Sequence, residues 1–297
     1  MFSKFGCLKD GARALVARFR SFVLSISVPR QGDPNAINIS IERLRNLPRY
    51  QDKKCLTLSG HKVYSQCDED GIIREIFQRI GLTNKMFVEF GVGDGLENNT
   101  LALLFDGWQG VWIEGSDRLV GRIREGLKNT IECDRLQVIN DFVTRDNINS
   151  LISTAFGETE IDLLAIDIDG NDFHVFESIT CINPRVVVIE YNAKFHPPMQ
   201  YCMSYEEGHK WSGDDHFGAS LKFLEEQFSK KGYCLVGCSL SGANAFFVRE
   251  DLVADRFMEP YTAEAHYEPA RYFLGKLTSG QKPSYKTLDR SMVIRGR

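Results

Sequence analysis

At 297 residues, with 43% apolar and 26% charged side chains, the chain is long enough to bury one large core and is globular in composition. A net charge of -4 leaves no electrostatic footprint for DNA or RNA, so nucleic acid is not an expected partner. Eight scattered cysteines without a C-x-x-C pair signal neither a zinc knuckle nor a disulfide framework, and a reducing, cytoplasmic location fits them best. Along the chain, residues 1–28 mix Lys4, Lys9, Arg13, Arg18 and Arg20 with apolar residues at near-helical spacing. They lack the apolar run of about 18 residues that a membrane span needs. The expected element is a basic amphipathic helix that packs on its own domain, on the partner subunit of a homo-oligomer, or peripherally on a membrane.

Pro29, Gly32, Pro34 and Pro48 then punctuate a linker-like region, which sets off residues 1–50 from a domain expected over 51–252 and a polar extension over 253–297. Short, almost wholly apolar strands are predicted at Met86 to Phe90, Gly110 to Glu114, Leu136 to Asn140, Ile161 to Asp167, Arg185 to Tyr191, Tyr233 to Ser239 and Asn244 to Val248. Helix-like stretches lie between them at 97–106, 117–129, 145–156, 171–180 and 218–231. Such alternation predicts a Rossmann-like α/β fold with a doubly wound, mostly parallel sheet. Only Leu240 to Ala243 separates the last two strands, too few residues for a parallel crossover, so they form a terminal antiparallel hairpin. That ending is the class I methyltransferase variant of the fold.

The first strand, carrying Glu89, runs into the turn Gly91, Gly93, Gly95. Glycine permits the tight turn and a close backbone approach to a ligand. A dinucleotide fingerprint would place its third glycine where Leu96 stands, so the G-x-G-x-G spacing favours S-adenosylmethionine over NAD. Glu114 ends the second strand about 20 residues further on, where a carboxylate accepts ribose hydroxyls, and Asp141 follows the third strand, placed for the adenine amine.

The fourth strand ends in Asp167 and Asp169 and the fifth in Glu190 and Asn192. Alternation along each strand would bring these oxygens to one rim. Two chemistries follow: Asp169, Glu190 and Asn192 hold magnesium or another divalent cation, or Asp167, Asp169 or the nearby His196 acts as general acid or base. The bland reading, a turn and helix cap at Asp169 to Asp172, stands beside them. His216 could also face the pocket, whereas His61, His174, His209 and His266 read as surface or packing residues. The long aromatic segment 194–213, with Tyr201, Tyr205 and Trp211, reads as a substrate lid suited to a sugar or other polyol.

Taken together, SQCDEDG from Ser65, FVEFGVGDGLENNT, LLAIDIDGNDFHVFESI, PRVVVIEYNA, DDHFGASL and NAFFVR resemble the FkbM-type methyltransferases between about Val63 and Leu252. The resemblance implies O-methylation of a sugar or other small-molecule hydroxyl, and implies that Gln66 and Asp70 lie near the cofactor. Many relatives read I-D-V-E-G where this chain has Asp167, Asp169 and Gly170, with Asp in place of Glu. Two other readings stand beside it: an NAD-dependent oxidoreductase or epimerase, and a methyltransferase-like binding module without catalysis.

Overall fold

Alternating apolar strands meet helices on both sides in the computed structural model, which describes residues 34–157, 159–276 and 280–287. The seven strands are β1 (Met86–Phe90), β2 (Gln109–Glu114), β3 (Leu136–Asn140), β4 (Thr159–Ile166), β5 (Ile182–Glu190), β6 (Tyr233–Cys238) and β7 (Asn244–Arg249). They form one sheet in the order β3-β2-β1-β4-β5-β7-β6. The first five are parallel, while β7 inserts antiparallel between β5 and β6. This is the class I methyltransferase fold.

Side-chain alternation explains why the strands are apolar throughout. Val88, Leu164 and Val187 face one hydrophobic cluster, and their neighbours Phe87, Leu163 and Val186 face another. A helix at Leu221–Lys230, started by the Ser220 hydroxyl accepting from the Phe223 amide, covers the first face with Phe173 and Phe176. A helix at Glu69–Ile80, not foreseen from sequence, covers the second with Ile72, Ile73 and Ile76.

The expected linker also contains a helix, Pro34–Arg45. Proline is tolerated in a first helical turn, where its missing N–H has no partner to lose. Ile37 and Ile41, one turn apart, then pack with Tyr50, Leu240 and Leu274 in a third cluster. The stretch predicted at 97–106 is helical only over Leu101–Phe105, because Glu89 takes the amides of Asn99 and Thr100 and Asn98 takes those of Thr100 and Leu101. The amphipathic stretch 1–28 lies outside the described residues. No helix among the described residues is long and apolar enough to cross a membrane.

Candidate active site

The carboxyl ends of β1, β2, β3 and β4 frame a cavity of about 540 Å³, lined by Gly91, Gly93, Glu114, Asp141, Asp167 and Asp169 among others. Its turn is fixed by sterics. A Cβ on Gly91, at φ 80°, would sit 1.6 Å from the Asp167 carbonyl oxygen, so only glycine lets the β1 turn lie against the end of β4. Gly95 does not line this cavity; a Cβ there would meet the Trp112 ring at 2.7 Å, making it a packing glycine. Glu114 accepts the Gly93 and Ser116 amides, each at 2.9 Å, and thereby ties the glycine turn to the end of β2. Phe142, 42% exposed, adds an aromatic wall that the sequence did not announce.

Glu89 lies beneath the turn instead of in the cavity. It accepts the Asn99 amide and the Thr100 amide and hydroxyl, and Thr100 in turn accepts from the Trp112 indole at 2.7 Å. Burial pushes its carboxyl up to about 7, against the opposing pull of those hydrogen bonds. Asp70 likewise lines neither this cavity nor its neighbour: one oxygen accepts the amides of Val63, Tyr64 and Ser65, each at 2.7 Å. It shapes the loop that delivers Gln66 to the second cavity.

That second cavity, about 750 Å³, is lined by Gln66, Asp169, Glu190, Asn192 and Lys194, with aromatic walls from Trp211, Phe217 and Tyr272. Asp169 belongs to both cavities. The chemistry side differs from the alternation argument in its geometry. β4 stops at Ile166, and Asp169 takes a left-handed φ of 55°, a conformation aspartate tolerates better than most residues. The turn nevertheless brings ligand atoms of Asp167, Asp169 and Glu190 within 4.8 Å of one another. Asn192 is not the third member of this group. Its amide donates to the Asp215 and Phe217 carbonyls at 3.0 and 3.1 Å, and its oxygen accepts the Lys194 amide, so it holds the following loop.

The three carboxylates have little to neutralise them. One oxygen of Glu190 is buried without a hydrogen-bond partner. Burial first, then the charges of Asp167, Asp172 and Asp169, holds the Glu190 carboxyl well above its usual range. Asp167 is raised by burial and then by the charges of Asp172, Asp169, Glu89 and Glu69, whereas burial raises Asp169 and the nearby His209 pulls it back. Asp172 serves as the turn's anchor, accepting the Ile168 and Gly170 amides at 2.9 and 2.8 Å.

The histidines exchange places relative to expectation. His196 lines neither cavity; its Nδ1 lies 3.1 Å from the Pro197 carbonyl oxygen at an exposed site. His216 also lines neither, its Nδ1 being 3.3 Å from the Tyr201 hydroxyl. His209, read as packing, lines the first cavity.

A strand order with an inserted antiparallel strand, a glycine turn and an acid at the end of β2 together delimit the class, and the family model of the methyltransferase FkbM domain matches residues 17–233. The chain belongs to the FkbM methyltransferase family. It is an adenosylmethionine-dependent methyltransferase. No curated protein matches this methyltransferase. Similar solved structures include the methyltransferase domain of bacterial CtHen1-C, 15% identical over 62% of this chain and 97% of that one, with a TM-score of 0.40. A putative caffeoyl-CoA O-methyltransferase from Staphylococcus aureus is 13% identical over 71% and 97%, with a TM-score of 0.43. The glycopeptide N-methyltransferase MtfA is 14% identical over 61% and 96%, with a TM-score of 0.37.

Proposed function

We propose that the methyltransferase moves the methyl group of adenosylmethionine to a hydroxyl of a carbohydrate or related small metabolite. The observation that carries this reading is the pair of cavities meeting at Asp169. The first suits the cofactor: Glu114 takes the ribose hydroxyls, Asp141 and Phe142 the adenine, and the glycine turn the backbone approach. The second suits the acceptor, since aromatic faces beside carboxylates and amides match the apolar faces and hydroxyls of a polyol. The sulfonium is already activated, so aligning acceptor oxygen, methyl carbon and sulfur supplies most of the acceleration; such positioning is worth on the order of 7 to 11 kcal/mol. The acceptor oxygen forms the bond to carbon as the carbon–sulfur bond breaks, and its proton passes to a carboxylate of the rim.

Asp167, Asp169 and Glu190 also fit a divalent cation such as magnesium, because their donors are all oxygen and the partnerless Glu190 oxygen wants a positive partner. When bound, the cation would ease deprotonation of the acceptor hydroxyl. The test is calorimetry with adenosylmethionine and adenosylhomocysteine, followed by methyl transfer to a panel of methyl glycosides with magnesium or EDTA, read by mass spectrometry. Cofactor binding, with methylated glycoside lost in EDTA, is the expected outcome. Exclusive methylation of amines would overturn the hydroxyl reading, and undiminished transfer in EDTA would overturn the cation.

A further inference from the structure

The segment after β5 touches both cavities, and it changes from one to the other across a single peptide bond. His209 and Lys210 line the cavity of the glycine turn, whereas Trp211, Gly213, Asp214 and Asp215 line the cavity assigned to the acceptor. The crossing point is held firmly. Asn171, buried at the start of the helix Asp172–Ser178, donates from its amide to the Glu206 carbonyl at 2.7 Å and accepts the Glu206 amide at 3.2 Å. The Glu206 carbonyl then receives the His209 amide at 3.0 Å, closing a turn above Gly170. Gly170 has no side chain for good reason, since a Cβ there would lie 2.3 Å from the His209 ring.

This leaves an imidazole whose side chain is only 9% exposed and whose Nε2 is buried without a hydrogen-bond partner. A buried ring nitrogen without a partner is costly unless a ligand supplies one. The charged groups around it include Glu206, whose carboxylate is 3.6 Å from Nδ1, Asp169 and Asp214; the His216 ring lies 6.0 Å away. His209 shares its cavity with Glu114 and Asp141 and does not line the one containing Gln66 and Glu190.

Resting on the cofactor assignment above, we propose that His209 binds the adenosine half of adenosylmethionine through Nε2, and that cofactor occupancy thereby sets the position of the Trp211 wall of the acceptor cavity. The loop that recognises the acceptor is then ordered by the cofactor. Trp211 reports this directly, because it is 50% exposed while Trp108 and Trp112 are buried.

The experiment needs no acceptor. Adenosylhomocysteine and 5′-methylthioadenosine, which lacks the amino-acid moiety, are titrated into the full chain and into H209A and H209Q, by calorimetry and by tryptophan emission. Thermal melting confirms that each variant is folded, and W211F supplies the background emission. The expected result is a weakening of both ligands by the same factor in H209A, about tenfold for one lost hydrogen bond. H209Q should recover part of it, since glutamine places an amide near Nε2. Emission should change with ligand in the wild type, and the change should be absent in W211F and diminished in H209A at saturating ligand. Wild-type affinity in H209A, a loss confined to adenosylhomocysteine, or ligand-insensitive Trp211 emission would each overturn the proposal. If the wild type bound neither ligand, the cofactor assignment itself would fall, a result distinct from the other three.

Discussion

Strand β4 has an aspartate near each end, buried Asp162 within it and half-buried Asp167 just beyond it, and the two are treated in opposite ways. Toward the amino end, Asp162 accepts the amides of Thr83, Asn84 and Lys85 and pairs with Arg185 at 2.6 Å. Arg185 also donates to the Ile80 and Gly81 carbonyls, so the two opposite charges there are answered inside the fold. At the carboxyl end, Asp167 faces Asp169 and Glu190 with no cationic side chain among the group, and a Glu190 oxygen is left without a partner. The lesson is about completeness. A buried acid whose partners are all present serves the fold, whereas one left in repulsion keeps its place open for something that binds.

The sharpest way to break this comparison is to delete each acid. Removing Asp162 leaves Arg185 buried and uncompensated, which costs about 3–5 kcal/mol of stability. D162A should therefore show a large fall in unfolding midpoint in urea. D167N should behave in the opposite sense, leaving the midpoint unchanged or raised at pH 8 while methyl transfer drops by about 10²-fold or more. A strongly destabilised D167N would mean that the carboxyl end is also structural.

Next in size is Glu114. E114A loses charge-assisted hydrogen bonds worth about 1.5–3 kcal/mol, so adenosylhomocysteine should bind some tenfold to a hundredfold more weakly by calorimetry. An unchanged dissociation constant would remove Glu114 from the cofactor site. Glu89 offers a pH signature. Its carboxyl is raised from 4.5 to about 7 by burial, so the folded state prefers the protonated form. That contribution to stability is full below about pH 4.5 and is lost as pH rises through about 7. Unfolding free energy should fall over this window, and E89Q should flatten the fall. The smallest effect belongs to His196, whose ring lies outside both cavities; H196A should shift stability and cofactor affinity by no more than about 0.5 kcal/mol.

The strands, their mostly parallel sheet and the closing hairpin were legible because burial on both faces demands continuous apolar runs, and a four-residue connection allows only a hairpin. That Gly91, Gly93, Glu114 and Asp141 would meet at one cavity was legible for a related reason: their spacing is local, and the sheet carries local spacing directly to one edge. What escaped depended on partners far away in the chain. The placement of His209 at the first cavity is set by the Asn171–Glu206 pin, and the inward tie of Asn192 by the Asp215 and Phe217 carbonyls. Neither pairing leaves a periodic trace. Asp167 joined Asp169 and Glu190 because the backbone turns at Asp169, not because the strand continues. The helix at Pro34–Arg45 was hidden by prolines at its borders, which read as breakers although one of them begins the helix.

The insertion of β7 between β5 and β6 also bears on how the chain is made. As the protein emerges from the ribosome, the parallel strands β1 to β5 are complete well before Asn244 appears, yet β5 has no neighbour on its outer side until β7 arrives. For that interval an apolar strand edge, Val186 to Ile189, is bare and able to pair with another nascent chain. The arrival of β7 is thus the event that seals the sheet, and chains truncated before β7 should accumulate as aggregates, not as smaller folded domains.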